Sequence, residues 1–299
     1  MSEEEQKFLK NYDMSKYERP SVTADMAVFA VMGTKDNAPE NYRKDPERKL
    51  KLLLIKRANH PYKDNWALPG GFCQKGESTT ETARRELHEE TGISDAYLRP
   101  FDIFSEPDRD PRGWIISHAF LTLIDGENYS VHASSDAREA DWFTVSVQPK
   151  LLHKEVQEEQ AHIVNSYLLT LVCEQQNNLT LTAEVTEDRS FVNYHETVRY
   201  DISSCRGIAF DHAKIILCAF LALQKEVNEN GRPVFDLMPE KFTLTQLQNT
   251  FEIVQDRKLL AANFRRKMSG YVTETDEISD GAGHRPAKLF RRNLDAFYR

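Results

Sequence analysis

The stretch Gly71–Ile93, GFCQKGESTTETARRELHEETGI, decides how the rest of the chain is read. It gathers Glu77, Glu81, Glu86, Glu89 and Glu90 into one loop and one helix. Spacings of three and four put Glu86, Glu89 and Glu90 on one helical face, where like charges repel. A purely structural helix gains nothing from that arrangement. A hard divalent cation reverses the sign, because carboxylate oxygens are the ligands that Mg²⁺ and Mn²⁺ prefer. The flanks agree with this reading. Trp66–Gly71 (WALPGG) is an apolar run that ends in a glycine pair, as where a strand turns into a tight loop. Ser78 and Glu81 have capping-box spacing, which predicts a helix from about Thr79, and Gly92 supplies its stop. Ala83 and Leu87 give the helix an apolar face, and Arg85 is placed to pair with one of the glutamates.

Gly71, Glu77, Arg85, Glu86, Leu87, Glu89, Glu90, Gly92 and Ile93 match every fixed position of the Nudix signature, GX5EX7REUXEEXGU. The resemblance implies an α/β fold, an α/β/α sandwich, and Mg²⁺- or Mn²⁺-dependent hydrolysis of a nucleoside diphosphate linked to another group. It implies Glu86 and Glu90 as the leading metal ligands, with Glu89 beside them, the Gly70 carbonyl as a backbone ligand, and Glu77 nearby through water. Glu89, Glu90 and Arg85 are the catalytic residues that it carries over. Many Nudix enzymes also keep an extra carboxylate as base before the closing strand. In DAREADW (Asp136–Trp142) the first choice is Glu139 and the second Asp136.

The length of 299 residues suggests about two domains. A net charge of −8 argues against nucleic-acid binding by the whole surface but leaves room for a local basic patch. Cys73, Cys173, Cys205 and Cys218 are scattered, with no CxxC pair, so neither a zinc site nor a disulfide framework is expected. Cys73 reads as a filler of the signature loop. No apolar run reaches the roughly 20 residues that span a bilayer, and the acidic start MSEEEQKFLKNYD lacks the apolar core of a signal peptide. The expectation is a cytoplasmic protein with no membrane partner.

Residues 1–20 read as an extension and 21–147 as the Nudix-like domain, with strands over Val22–Met32, Lys51–Lys56, Ala96–Ser105 and Trp114–Ile124. In the loop Asp108–Gly113 (DRDPRG), Arg109 and Arg112 flank Asp-Pro. By residue type alone they suit a pyrophosphate clamp or an ordinary surface turn equally. PDRDPRG followed by a strand resembles the Nudix subgroup that acts on or binds ADP-ribose. That resemblance favours Arg57, Arg109 and Arg112 as substrate-binding residues.

Residues 148–207 form an insertion without nameable chemistry. Helical spacing is expected over Leu151–Glu174, then a hairpin from Leu179–Val185 and Thr197–Ile202. His153, His162 and His195 are too far apart in sequence to suggest a metal site. Residues 208–299 begin with an apolar helix, Ala209–Val227, which could link two domains. Thr243 caps a second helix that runs to about Val254, and Leu259–Met268 forms a third, in helix-turn-helix order. Tyr271–Thr275 and Ala287–Arg292 could form a wing. Arg257, Lys258, Arg265, Arg266 and Lys267 occur without an intervening acid, a pattern that suits phosphate contact or a solvated face. The runs LMPEKFTLT (Leu237–Thr245), NFRRK (Asn263–Lys267) and GHRPA (Gly283–Ala287), with AFDH (Ala209–His212), resemble the winged-helix part of the Nudix-related transcriptional regulators. Arg257, Arg265, Arg266, Lys267 and Arg285 are the DNA-contacting residues which that resemblance implies.

Two functions follow. One is a Mg²⁺-dependent hydrolase of ADP-ribose or a related nucleoside diphosphate derivative, and its more specific motif favours it. The other is a double-stranded-DNA-binding regulator whose Nudix domain senses ADP-ribose or another NAD-related metabolite. Both resemblances imply a homodimer.

Overall fold

The computed structural model describes residues 1–33, 48–94, 96–126, 137–279 and 286–297. A short helix, α1 (Glu3–Asn11), is capped by Ser2 and Glu5 but buries none of its residues. The core is one sheet of ten strands. β1 (Ser21–Gly33) and β2 (Arg48–Arg57) pair antiparallel, and their runs of small and branched apolar residues are almost wholly buried. The short β3 (Trp66–Ala67) adds to β2, and β4 (Gly70–Phe72) adds to β1. The signature helix α2 (Thr79–Thr91) follows. Ser78 and Glu81 form the expected capping box, and Gly92 ends the helix in the left-handed region at φ 78°. β5 (Leu98–Phe104) and β6 (Ile115–Ile124) complete one flank, with β6 running parallel to β1.

The other flank departs from expectation. β7 (Ala137–Val156) is a single strand of 20 residues that leaves the Nudix-like domain and enters the insertion unbroken. β8 (Gln160–Cys173), β9 (Leu179–Val192) and β10 (His195–Arg206) continue from it as an antiparallel meander. The order across the sheet is β10-β9-β8-β7-β2-β1-β6-β5. The hairpin expected over 179–202 is present, but the helix expected over Leu151–Glu174 is not. Tyr167, Leu169, Leu171 and Cys173, at every second position of β8, are buried, which is strand periodicity. The apolar residues at 156, 163, 167 and 168 imitated a helical spacing. The pairing also brings the rings of His153 and His162 within 5.1 Å across β7 and β8, closer than their separation in sequence suggested.

Each face of the sheet carries a helix. Ala83, Leu87 and Ile93 pack with Ala24, Met26, Val28, Leu53 and Trp142 on one side. On the other side lies α3 (His212–Glu229), whose Ile215, Ile216, Ala219 and Leu223 join a cluster with Phe29, Leu52, Leu54, Phe143 and Leu169. This is the α/β/α arrangement. No helix among the described residues is long and apolar enough to cross a membrane.

The same cluster runs on into the C-terminal part through Val234, Phe235, Phe242, Leu247 and Phe251. A 3-10 turn, Arg232–Leu237, leads to α4 (Leu244–Gln255), capped by Thr243 and Gln246, and then to α5 (Ala261–Met268). Asp256 ends α4 in the left-handed region and so sets the turn between the two helices. β11 (Val272–Ile278) and β12 (Lys288–Arg292) form the two-stranded wing, and α6 (Leu294–Phe297) closes the chain's described part. Phe242 exchanges backbone hydrogen bonds with Phe290 of β12, at 3.0 and 2.8 Å, and so fastens the wing to the helices.

Candidate ligand cleft and nucleic-acid face

The acidic residues of α2 divide into two groups. Arg85 lies at the centre of the outer one. Its Nε donates to Glu77 at 2.8 Å, its Nη1 to Glu86 at 2.6 Å and to Glu89 at 3.1 Å, and its Nη2 to the Phe72 carbonyl at 3.2 Å. The Arg85 guanidinium holds the Glu77 carboxyl down to about 2. Glu90 is different. It is partly buried and accepts the Gly70 N–H at 2.8 Å. Burial, with Glu86 and Asp25 close by, pushes its carboxyl up to about 8, and burial raises Glu86 as well.

That electrostatic cost supports the metal reading. Buried carboxylates pushed up by desolvation and by each other gain from a hard dication. The backbone is shaped to match: a Cβ on Gly71 would stand 2.2 Å from a Glu86 carboxylate oxygen. Among the described residues no three His, Cys, Asp or Glu side chains already converge as a closed metal cage. Mg²⁺ commonly takes one or two carboxylates and completes its shell with water and substrate phosphate, so Glu86, Glu90 and the Gly70 carbonyl fit it.

Above Glu90 lies a cleft of about 160 Å³, lined among others by Asp25, Arg57, Gly70, Phe72, Arg112, Phe210 and His212. Asp25 is buried in the middle of β1 and accepts hydrogen bonds from Ser117 and Thr23. His212 accepts the Leu68 N–H on Nδ1 at 2.9 Å, which leaves the proton on Nε2, 3.9 Å from Asp25. Burial lowers the imidazole's pKa, so the ring is neutral. Arg57, at the end of β2, donates through Nε to the Pro61 carbonyl at 2.9 Å. Its guanidinium carbon lies 4.6 Å from the centre of the Phe210 ring, and that of Arg112 lies 4.8 Å from the same ring.

Two expected site residues are engaged by protein partners. Arg109 borders the cleft, and its buried side chain is held bidentate by Asp211 at 2.7 and 3.0 Å. The pair joins the loop before β6 to the start of α3. Glu139, the expected base, is paired with Lys56 at 3.2 Å and Gln176 at 2.9 Å and is not among the cleft's lining residues. It sits opposite Lys56 in the β2–β7 ladder, so the strand's alternation fixes its direction. Asp136, the second choice, lies outside the described residues.

In the C-terminal part, Phe264 and Met268 anchor α5, and the rings of Phe264 and Phe251 meet at 5.2 Å. Arg265, Arg266 and Lys267 are exposed on the same helix, between the two anchors in sequence. Arg257 is exposed as well and donates to Asn228 at 2.7 Å. Arg285 lies outside the described residues. The basic face is therefore open, next to a two-stranded wing.

A NUDIX domain model matches residues 42–167, and a model of the NrtR DNA-binding winged helix domain matches residues 234–292. An Acinetobacter baylyi protein described as an ADPR responsive transcriptional repressor, NtrR, is 32% identical over 297 residues, covering 98% of this chain and 90% of the relative. The chain belongs to the NrtR-type, Nudix-related transcriptional regulators. An ADP-ribose pyrophosphatase of Methanocaldococcus jannaschii is 40% identical over 149 residues, 48% of this chain and 76% of that protein. The crystal structure of a MutT/nudix family protein from Enterococcus faecalis is 26% identical, covers 98% of this chain and 94% of its own, and superposes with a TM-score of 0.66.

In this NrtR-type chain the cleft contains residues that the signature does not name. Asp25 had a visible signal, a lone charge inside the apolar run VTADMAVFAVM. Phe72 follows the glycine pair, and Phe210 and His212 sit in the AFDH run that otherwise looked like a helix start. Their proximity to the signature becomes visible only when the segment after β10 is placed beside Trp66, whose N–H donates to the Gly207 carbonyl at 2.9 Å.

Proposed function

We propose that this protein is a DNA-binding transcriptional repressor whose Nudix domain senses ADP-ribose, or a closely related nucleoside diphosphate derivative. One observation carries the reading: the chain couples an intact Nudix signature to an exposed basic helix and wing, and its 32%-identical relative, matched almost end to end, is described as an ADPR-responsive repressor. The order of preference from the sequence alone is thereby reversed, and regulation takes first place. Arg265, Arg266 and Lys267 contact DNA phosphates or base edges from α5, with the wing alongside. Arg57 and Arg112 hold the ligand's pyrophosphate. A homodimer that places two α5 helices on successive turns of the major groove completes the reading.

Hydrolysis is the second reading, favoured by a specific observation: every signature acid is present, and Glu90 is held by the Gly70 N–H at 2.8 Å. A bound Mg²⁺ or Mn²⁺ would neutralise diphosphate charge and acidify a water. Glu86, Glu90 and the Gly70 carbonyl would hold that ion, and Arg85 keeps Glu86 and Glu89 in place.

A gel shift on the chain's own upstream DNA, repeated with ADP-ribose and across salt concentrations, tests the first reading. Salt-sensitive binding relieved by ADP-ribose is expected. Absence of any DNA complex at low salt would remove it. A Mg²⁺-dependent assay for AMP and ribose phosphate tests the second.

A further inference from the structure

The cleft is too small for the ligand proposed for it. Its volume of about 160 Å³ is well below the roughly 300 Å³ at which ligand pockets begin. Either the ligand extends beyond this volume into solvent or a wall moves, and the walls differ greatly in what holds them. Ile55, Ala67, Gly70 and Phe72 belong to paired strands, and Arg109 is fixed by its bidentate pair with Asp211. Phe210 belongs to no strand or helix and is half-buried. Its backbone stands at φ 52°, a left-handed conformation that costs a non-glycine residue.

Its ring also sits where a diphosphate has most to gain. Arg57 spends only Nε on a protein acceptor, the Pro61 carbonyl, and Arg112 holds Asp110 through Nε and Nη2. Both Nη groups of Arg57 and Nη1 of Arg112 donate to no protein acceptor among the described residues. Both guanidiniums rest against the one ring of Phe210, at 4.6 and 4.8 Å. Cation–π contact is weak beside charge-assisted hydrogen bonds to phosphate.

The residue's position in the chain gives its movement a consequence. Phe210 is followed by Asp211, the N-cap residue of α3, and by His212, its first residue. α3 shares one apolar cluster with Val234, Phe235, Leu247 and Phe251 of the winged helix. No flexible linker separates the ring from that packing.

We propose that Phe210 is a movable wall that competes with the ligand's pyrophosphate for Arg57 and Arg112, and that its displacement is what α3 transmits to the winged helix. The ring closes the empty cleft. A pyrophosphate-linked ligand expels it, and the segment Ala209–Asp211 shifts with it. The transmitted effect on DNA rests on the repressor reading above; the competition for the two arginines does not.

The test uses the full chain with Phe210→Ala and Phe210→Trp. Inorganic pyrophosphate and ADP-ribose are titrated calorimetrically with EDTA present to stop turnover, and DNA affinity is measured with and without ADP-ribose. Phe210→Ala is expected to bind both ligands more tightly, by roughly five- to thirtyfold for two lost cation–π contacts. Its DNA affinity is expected to lose its response to ADP-ribose, whereas Phe210→Trp, which keeps a ring, retains the response. Unchanged or weaker pyrophosphate binding by Phe210→Ala overturns the proposal, because the ring is then a bystander or a platform for the ligand. A response to ADP-ribose that survives in Phe210→Ala overturns the transmission step. If wild type ignores ADP-ribose while Phe210→Ala still gains pyrophosphate affinity, the repressor reading fails and the competition stands.

Discussion

Arg109 and Asp211, 102 residues apart in the chain, meet in a buried pair with both Asp211 oxygens engaged, at 2.7 and 3.0 Å. The pair fastens the loop between β5 and β6 to the start of α3. The guanidinium is 3% exposed, so the pair works largely out of water.

Removing one partner of such a pair leaves an uncompensated buried charge, which costs about 3–5 kcal/mol. Arg109→Ala is expected at the lower end of that range, because Lys214 Nζ stands 3.8 Å from Asp211 and remains. Arg109→Lys is expected to recover only part of the loss, since an ammonium lacks the fork. Urea unfolding of the three proteins checks this, and a loss under about 1 kcal/mol would contradict the structural role.

Glu90→Gln tests the acidic site. Glutamine keeps an oxygen for the Gly70 N–H and removes a carboxyl that burial disfavours in its charged form. Without metal, the melting temperature is expected to stay at the wild-type value or rise. Any Mg²⁺-dependent hydrolysis of ADP-ribose is expected to fall by about 10²-fold or more. Turnover within a few-fold of wild type would sink the assignment of Glu90.

The two adjacent glycines are expected to fail differently. A Cβ on Gly70 would lie 2.3 Å from the Ala24 carbonyl oxygen and 2.9 Å from Asp25 Cα, and backbone there has nowhere to go. Gly70→Ala should therefore destabilise by about 1–3 kcal/mol or more. At Gly71 the obstacle is the Glu86 carboxylate, the mobile end of a side chain. Gly71→Ala should fold almost normally yet weaken the stabilisation that added Mg²⁺ or Mn²⁺ gives, as read by thermal melts with and without metal.

Acid stability is expected to depend on Glu187 of β9. Burial opposes its charge, but hydrogen bonds from Arg189, Asn165 and Tyr167 outweigh burial and hold the carboxyl below its ordinary value of 4.5. A lowered folded-state pKa contributes stability that is present above about pH 4.5 and is lost as the pH falls through the folded value. Glu187→Gln should make the fall in stability below about pH 4.5 shallower than in wild type, measured by urea midpoints across the acid range.

For the basic helix, each of Arg265→Ala and Arg266→Ala should lower the slope of log affinity against log salt by about 0.9 where it removes a phosphate contact. An unchanged slope in both variants would mean that α5 is not the DNA-facing element.

The sequence made the signature helix legible to its caps, because Ser78, Glu81 and Gly92 act locally and obey local rules. The strands of the Nudix part and the helix-turn-helix order were legible for the same reason. The insertion was not. In Leu151–Glu174 the polar first half hid the two-residue alternation at Tyr167, Leu169 and Leu171, and a strand's partners lie outside its own window. The candidate site followed the same division. Glu86 and Glu90 lie on one helix within a few residues of each other, whereas Phe210 and His212 reach the cleft through a pairing between Ile208 and Trp66, separated by nearly half of the chain. Residue type alone does not tell a paired arginine from an available one, so the Arg109–Asp211 pair is visible only in the fold.

The unbroken run of β7 bears on how this protein can be dissected. Its 20 residues cross the boundary expected near 147 without a turn, and Val145 and Val147 are already paired with Leu171 and Leu169 of β8. A fragment cut at that boundary would carry half a strand, with its hydrogen-bonding edge bare and the apolar partners of β8 removed. Such an edge invites pairing with other copies. Proteolysis or gene truncation should thus yield a soluble sensing fragment only when the cut falls after α3, which covers the sheet and brings Phe210 and His212 to the cleft, and cuts between 147 and 206 should give aggregates.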